Sequence, residues 1–294
     1  MRFSLGLLGA VLAVFAPLNL AQAIVFYSQG NDANLSSPAG ISLPWDNVVQ
    51  MRSNSGPIGS GVYLGNRYVL TAAHVAPLTS VRVGFVDYAL DSSSAVNIGT
   101  SDMKLVRLAN DPGLGSVRLN SSAASDGGFA YVVGYGVGRA SSSLLNSSPV
   151  TWGDDATVAK RWGTNTVDAA YSGVTVNGYT SDLLRTQFNT NAGANEAALT
   201  RYDSGSALFR QIGSSWYLVG LGAYVQNSNL SGASTQFDSA NSDDNYFIRI
   251  SSYSTGTDQI GAVGVPEPSS FQFLMGGLLF LGFLAFRRIR PLKV

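Results

Sequence analysis

The stretch that decides the fold of this chain is residues 59–75, which read GSGVYLGNRYVLTAAHV. Two runs rich in β-branched and aromatic residues, 61–64 and 68–72, flank Gly65-Asn66, and this pattern predicts two strands joined by a tight turn. The second run leads directly into Thr-Ala-Ala-His. His74 is the only histidine of the protein. A histidine side chain has an ordinary pKa of roughly 6.5, which suits proton transfer near neutral pH.

Two further segments carry residue types that act together with histidine in hydrolases. Asp102 opens the run DMKLVRL, in which an acidic residue leads into an apolar strand, and Ser204 lies in DSGSAL at 203–208. A serine hydroxyl is a weak nucleophile unless a base accepts its proton, and a carboxylate can orient that base. Asp87 and Asp91 are rival carboxylates, but neither leads into a matching apolar strand.

These segments, in the order His, Asp, Ser, resemble those of chymotrypsin-like serine peptidases. Three later segments extend the resemblance. Tyr131–Gly136 resembles the strand and turn that begin the family's second barrel, Trp216–Tyr224 resembles the strand after the nucleophile, and Tyr246–Tyr253 resembles the closing strand. The resemblance covers residues from about 45 to 253. It implies an all-β fold of two antiparallel six-stranded β-barrels with the active site between them.

The resemblance also assigns roles to residues. It implies a catalytic triad in which Ser204 attacks the peptide carbonyl, His74 accepts the serine proton, and Asp102 orients the imidazole. The backbone N–H groups of Tyr202 and Ser204 would bind the developing oxyanion. This chemistry requires neither a metal nor another cofactor, and its substrate is a protein or peptide.

The sequence departs from the family pattern at Tyr202, at Ala223 and at the pair Ser206-Ala207. Tyr202 replaces a glycine, which reaches backbone angles closed to most residues. If Tyr202 turned its peptide away, the loss of one oxyanion donor would cost roughly 10²–10³ in rate. The alternative is that Tyr202 reaches the required angles and its ring packs beside the cleft. Ala223 replaces a serine that often hydrogen-bonds the triad Asp, so Asp102 is expected to be less constrained. Ser206-Ala207 replaces Gly-Pro without affecting the chemistry.

Activation in this family usually buries a new N-terminal ammonium against the Asp beside the nucleophile, which is Asp203 here. Cleavage after Ala23 would create an end that begins Ile24-Val25, of the type that the family uses. The hypothesis is therefore that secretion activates the protein through an ion pair between Ile24 and Asp203. The alternative is that Ile24 is merely the next residue, since the segment from Ile24 to the strand at Pro44-Trp45 is long for this purpose.

The resemblance places the specificity pocket at Ala198, which forms its floor, and at Ala223, Tyr224 and Val225 along its wall. An Asp at the floor would select Arg or Lys, so Ala198 argues against that selectivity, although Glu196 lies close in sequence. Val225 stands where a glycine is common and would narrow the entrance. Small or medium apolar side chains before the cut bond are expected.

The N-terminus carries the pattern of a secretory signal peptide. Arg2 gives a short positive start, Leu5–Phe15 is apolar, and Ala21-Gln22-Ala23 has the small-x-small form of a cleavage site. Residues 1–23 are therefore predicted to be removed by signal peptidase.

The C-terminus combines a Pro-Glu-Pro box at 266–268, an apolar run at 271–286 and an Arg cluster at 287–290. The apolar run is a little short of the ~20 residues that span a bilayer, and the basic cluster predicts that the end stays cytoplasmic. Together they resemble a PEP-CTERM sorting signal of Gram-negative bacteria, which implies transient inner-membrane anchoring and cleavage by an exosortase. The alternative is a permanent single-span anchor. We expect a linker over 259–270 and a sorting or transmembrane segment over 271–294.

Composition excludes several classes of function. Removing the five basic residues and the one acidic residue of the two ends leaves 13 basic and 17 acidic side chains. This mildly acidic body gives no basic surface for nucleic acid. The chain has no Cys and one His, which leaves no disulfide framework and few zinc ligands.

The sequence therefore predicts an exported serine endopeptidase with a first barrel over 24–128 and a second over 129–258. After sorting it would lie in the periplasm, at the cell surface or in the extracellular matrix of a Gram-negative bacterium. The alternative function is a catalytically weak or inactive peptidase fold that binds surface or matrix partners. Tyr202 and Ala223 favour this alternative, whereas the intact triad opposes it.

Overall fold

The computed structural model describes residues 24–92, 94–147, 150–189, 192–226, 236–237, 243–254 and 260. The predicted signal peptide, the predicted sorting segment and nearly all of the predicted linker lie outside these residues. Within the described part of the chain, no helix is long and apolar enough to cross a membrane. Regular structure there is almost entirely β, with three short 3₁₀ helices at Ala123–Ser125, Asp155–Thr157 and Ile250–Ser252.

The strands fall into two seven-stranded sheets and two short pairs. Those of the first half are β1 (Val25–Phe26), β2 (Val48–Ser53), β3 (Gly56–Gly65), β4 (Tyr68–Ala72), β5 (Ser80–Val83), β6 (Val86–Ala89), β7 (Val96–Asn97), β8 (Met103–Arg107) and β9 (Arg118–Leu119). Those of the second half are β10 (Gly128–Gly134), β11 (Val150–Thr151), β12 (Arg161–Val176), β13 (Tyr179–Phe188), β14 (Ala197–Ala198), β15 (Ala207–Ile212), β16 (Ser215–Gln226), β17 (Gln236–Phe237) and β18 (Asp243–Arg249).

The first sheet has the order β6-β5-β2-β3-β4-β8-β7. A bridge between Leu90 and Leu108 joins the chain after β6 to the chain after β8. This contact closes six of the strands into a ring, with β7 added at the edge of β8. The turn predicted within 59–75 is present, because Asn66 and Arg67 both adopt positive φ between β3 and β4.

The second sheet has the order β15-β10-β12-β13-β18-β16-β9, and β15 also pairs with β16. The additional pairing closes six strands into a second ring. The predicted all-β fold with two six-stranded barrels is thus confirmed. The remaining strand, β9, makes a two-residue parallel contact with β16. The N-terminal strand β1 pairs with β14, so the start of the described chain lies against the second barrel rather than the first.

The core lies inside each barrel and also between them. Val69 and Val106 belong to the apolar cluster of the first barrel, and Val132 and Phe247 to that of the second. A further cluster contains fully buried side chains from both barrels, Leu70 among them. Because burial of apolar surface is the main favourable term in folding, this shared cluster fixes the two barrels against each other.

A long hairpin made by β12 and β13 reaches from the second barrel to the first. Its two-residue turn is Asn177-Gly178, with φ of 52° and 85°, as a type I′ turn requires. At its tip the Thr180 N–H donates to the Thr100 carbonyl at 2.9 Å. The hairpin thus contacts the loop that carries Asp102. Sequence analysis did not predict these strands.

Candidate active site

Three side chains from distant parts of the sequence meet between the barrels. The Nδ1 atom of His74 lies 2.6 Å from Oδ2 of Asp102, and Nε2 of the same ring lies 2.7 Å from Oγ of Ser204. The side chains of His74 and Asp102 are 38% and 14% exposed, so the imidazole is accessible while the carboxylate is shielded. The three predicted triad residues therefore form one continuous hydrogen-bonded chain.

Two adjacent strands of the first barrel bring the imidazole and the carboxylate together. Ala72 at the end of β4 pairs with Met103 at the start of β8, which places the residues just beyond these strand ends side by side. The Ala73 N–H donates to the Asp102 carbonyl at 3.0 Å, and the His74 N–H donates to Oδ1 of Asp102 at 3.0 Å. Asp102 thus holds both the backbone and the ring of His74.

The two rival carboxylates are engaged elsewhere. Asp87 pairs with Arg82 at 2.5 Å, and Asp91 pairs with Arg107 at 3.1 Å. Both ion pairs lie on the surface of the first barrel. Among the three acidic candidates that the sequence offered, the structure therefore brings only Asp102 to His74.

The nucleophile loop is fixed by backbone contacts to both barrels. The Ser60 N–H of β3 donates to the Ser204 carbonyl at 2.8 Å, and the Gly205 N–H donates to the Gly222 carbonyl of β16 at 2.7 Å. Gly205 has a φ of 85°, and a Cβ atom at this position would overlap the Ser60 carbonyl oxygen. Only glycine fits here, because the loop passes so close to the first barrel.

Tyr202 adopts the backbone conformation with positive φ that a glycine would reach easily at this position. Its φ is 74°, in the left-handed region that is uncommon for residues other than glycine. Among the residues that the structure describes, neither the Tyr202 N–H nor the Ser204 N–H donates a hydrogen bond. Two backbone donors beside the nucleophile are therefore available to a developing negative charge.

Asp203 is completely buried beside the nucleophile. Its carboxylate accepts from the Gly136 N–H at 2.8 Å, from the Thr200 N–H at 2.8 Å and from the Thr200 hydroxyl at 3.0 Å. Burial raises the pKa of Asp203 to about 6, although these donors and the charge of Arg161 act in the opposite direction. The carboxylate is thus costly to ionise, and these donors and the charge of Arg161 stabilise its ionised form.

Arg161 is a buried positive charge in the same region. Its side chain is fully enclosed, and burial lowers its pKa to about 8 while the charge of Asp203 raises it. Its guanidinium donates to the Asn31 carbonyl at 3.1 Å and to the Ile24 carbonyl at 3.4 Å. Ile24 is itself buried, at 1% exposure. The structure thus places the Ile24 carbonyl against the Arg161 guanidinium. The ion pair between the Ile24 ammonium and Asp203 stays a prediction.

Ser181 holds the main chain of Asp102. The hydroxyl of Ser181, on β13, accepts from the Asp102 N–H at 3.0 Å. Asp102 is therefore held from the hairpin of the second barrel as well as by His74. Sequence reasoning missed Ser181 because the hairpin was not predicted. The Asn177-Gly178 dipeptide is the signal that could have found it.

The predicted specificity residues occupy different surroundings. Ala198 is buried and pairs with Val25 of β1. Ala223 and Tyr224 line a small cavity beside Asp102, and the ring of Tyr224 stacks on Tyr246 with centroids 4.7 Å apart. Val225 packs against apolar clusters of the second barrel.

Glu196 lies in a cleft on the outside of the second barrel, with Thr164 and Phe129. Its carboxylate accepts from the Asn189 N–H at 2.7 Å, and burial raises its pKa to about 7. The carboxylate is therefore harder to ionise here than in water. Within the described ranges, no set of three His, Asp or Glu side chains is placed to hold a metal ion.

Comparison with known proteins gives one match to a family and several to solved structures. The sequence matches the trypsin family over residues 34–255, whereas no curated protein matches it. The solved structure of neuropsin, a serine protease of mouse brain, has 19% identity and a TM-score of 0.48, and the match covers 75% of this chain and 94% of neuropsin.

Two structures of the Rv3671c protease, both in an inactive form, also match. The variant from M. tuberculosis has 15% identity and a TM-score of 0.48, with 76% of this chain and 89% of that chain covered. The other has the same identity and TM-score, with 78% and 98% covered. The family match itself includes most strands of both barrels.

Proposed function

This chain belongs to the trypsin family, and from that membership we propose that it is an exported serine endopeptidase. The observation that carries the proposal is the continuous hydrogen-bonded chain from Asp102 through His74 to Ser204, with contacts of 2.6 and 2.7 Å. A nucleophile and base within hydrogen-bond reach, with a third group that orients the base, is the arrangement that nucleophilic catalysis requires.

In the proposed mechanism, Oγ of Ser204 attacks the substrate carbonyl carbon while Nε2 of His74 accepts the hydroxyl proton. The imidazolium that forms is stabilised by Asp102 and then protonates the leaving amine, so that the peptide C–N bond breaks and an acyl-enzyme remains. A water molecule, deprotonated by the same imidazole, hydrolyses this ester and restores Ser204. All protons are accounted for within the triad, the substrate and water.

The carbonyl oxygen becomes negatively charged in each tetrahedral intermediate. The N–H groups of Tyr202 and Ser204 would donate to it, and their availability among the described residues supports this role. Such preorganised donors act on charge that appears only in the transition state. The positive φ of Tyr202 favours catalysis over the alternative of an inactive binding protein.

The proposal for selectivity is cleavage after small or medium apolar side chains, for which Ala198, Ala223, Tyr224 and Val225 stay the predicted pocket residues. Glu196 lies in a separate cleft with Phe129 and Thr164, which none of these four residues line, and this argues against selection of Arg or Lys. The proposal for processing is removal of 1–23 by signal peptidase and sorting through the tail at 271–294. Localisation outside the inner membrane follows from these two signals.

The first experiment is labelling of the protein that begins at Ile24 and ends at 264 with a fluorophosphonate probe, which reacts only with an activated serine. We expect labelling of this protein and none of the Ser204→Ala variant. A peptide library then identifies the residue before the cut bond. Labelling that persists in the variant, or is absent from folded protein, would contradict the proposed function. The second outcome would favour the binding-protein alternative.

Activation by the new N-terminus is tested in the same assay. Addition of one Ala before Ile24 is expected to reduce labelling strongly, because the ammonium would move by one residue and leave the Asp203 carboxylate without its partner. Circular dichroism shows whether the extended protein is folded. Equal labelling of both proteins would rule out the ion pair, and would leave Arg161 as the charge that stabilises Asp203.

A further inference from the structure

Tyr202 is held in a conformation that its residue type disfavours. A φ of 74° brings Cβ of a non-glycine residue close to its own backbone, and the strain of such a position persists only when surrounding contacts impose it. A return to negative φ would reorient the peptide that carries the Tyr202 N–H. The contacts that oppose this return therefore keep the Tyr202 N–H in its orientation.

The phenol of Tyr202 is bound by Asp155. Its hydroxyl lies 3.1 Å from Oδ1 and 3.2 Å from Oδ2 of that carboxylate. Arg201 adds two contacts, since its guanidinium pairs with Asp155 at 2.6 Å and lies 4.9 Å from the centroid of the tyrosine ring. Glycine, the family's usual residue here, has no side chain and can make none of these contacts.

The main chain of Tyr202 is bound from the opposite side. The Ser60 hydroxyl donates to the Tyr202 carbonyl at 2.9 Å, and Oγ of Ser60 accepts from the Tyr135 N–H at 2.8 Å. Ser60 is fully buried, so this link is shielded from water. The carbonyl end and the ring end of Tyr202 are thus fixed by separate parts of the protein.

Asp155 is itself well supported. It begins the 3₁₀ helix Asp155–Thr157, whose N-terminus is capped by the side chain of Asp154. The helix is tied to the chain after β10, because the Gly138 N–H donates to the Thr157 carbonyl at 3.1 Å. The neighbouring Val137 N–H donates to the Arg201 carbonyl at 2.8 Å. Asp155 and the residue before Tyr202 are therefore anchored to the same short segment.

We propose that Asp155 is a positioning residue, which acts through the ring of Tyr202 to keep the oxyanion donor directed into the cleft. This inference rests on the proposed peptidase function. The side chains of Asp155 and Arg201 are 62% and 47% exposed, and exposed ion pairs contribute little to stability. The expected effect on the rate is accordingly moderate, and it concerns the conformation of one peptide rather than the stability of the fold.

The test measures kcat and KM for peptide hydrolysis in D155A, Y202F, Y202G and the double variant Y202G/D155A. We expect D155A and Y202F each to lower kcat by about three- to tenfold with little change in KM, since only transition-state binding is affected. In the Y202G background D155A is expected to have no further effect, because glycine adopts positive φ without support. D168A, which removes another exposed ion pair with Arg185, serves as the control and should leave kcat unchanged.

The outcomes separate this inference from the proposed function. If the unmodified protein shows turnover that Ser204→Ala abolishes, but D155A does not lower kcat, the positioning role is wrong and the peptidase function stands. An equal loss on D155A in the unmodified and Y202G backgrounds would also overturn the role, since it would point to a merely structural effect. If no Ser204-dependent turnover exists, both proposals fall together.

Discussion

Replacement of Asp102 by asparagine is expected to lower kcat for peptide hydrolysis by about 10⁴-fold. The carboxylate accepts from both the backbone N–H and Nδ1 of His74. An amide in its place directs an N–H toward Nδ1, so the ring proton moves to Nε2. Nε2 faces the Ser204 hydroxyl at 2.7 Å and could then no longer accept its proton.

Steady-state kinetics of D102N on a cleaved peptide measure this loss. The variants D87N and D91N are matched controls, because Asp87 and Asp91 pair with Arg82 and Arg107 on the surface. Their kcat values should remain within about twofold of the unmodified protein, since surface ion pairs have small energies. A comparable loss in D91N or D87N, or full activity in D102N, would show that the triad acid has been assigned to the wrong residue.

Replacement of Gly205 by alanine is expected to lower the free energy of unfolding by about 3 kcal/mol or more and to abolish probe labelling. The added Cβ would overlap the Ser60 carbonyl oxygen and lie 2.6 Å from Oγ1 of Thr71. Relief would require the nucleophile loop to move away from the first barrel, against a well-packed interior. The positive φ of 85° adds backbone strain.

Denaturant unfolding of G205A and of G213A separates the effect of the Cβ overlap from that of the backbone strain. Gly213 also has a positive φ, 61°, but a Cβ atom there has nothing within 4 Å. G213A should therefore lose only the strain of the backbone, about 1 kcal/mol, and keep its labelling. Equal losses of unfolding free energy in both variants would mean that the close approach of Gly205 to Ser60 does not restrict the residue at position 205.

The sequence was sufficient to predict the strands whose residues alternate between burial and exposure or form short apolar runs. The predicted run at 68–72 coincides with β4, and the run predicted at 61–64 lies within β3. The hairpin of β12 and β13 was missed because the second half of its first strand, residues 169–176, contains no buried residue. Its strands are stabilised by pairing with each other and with β10 and β18 of the same barrel, which a local pattern does not reveal.

The candidates for the triad were also accessible from sequence, because each lies in a short motif that is tied to a strand end. The supports of the triad and of the oxyanion donor were not. Ser60, Asp155 and Ser181 are separated from the residues that they hold by 142, 47 and 79 positions. Nothing in their local sequence distinguishes them from the many other Ser and Asp residues of the chain.

What the sequence determined by itself was therefore the class of fold, the candidates for the triad and the departure at Tyr202. Periodicity, turn residues and the order of motifs are local properties, and they survive without knowledge of the tertiary structure. Only the tertiary structure decided which carboxylate meets His74 and that Tyr202 takes a φ of 74°. Both outcomes depend on packing and hydrogen bonds between the two barrels and their loops, whose partners lie far apart along the chain.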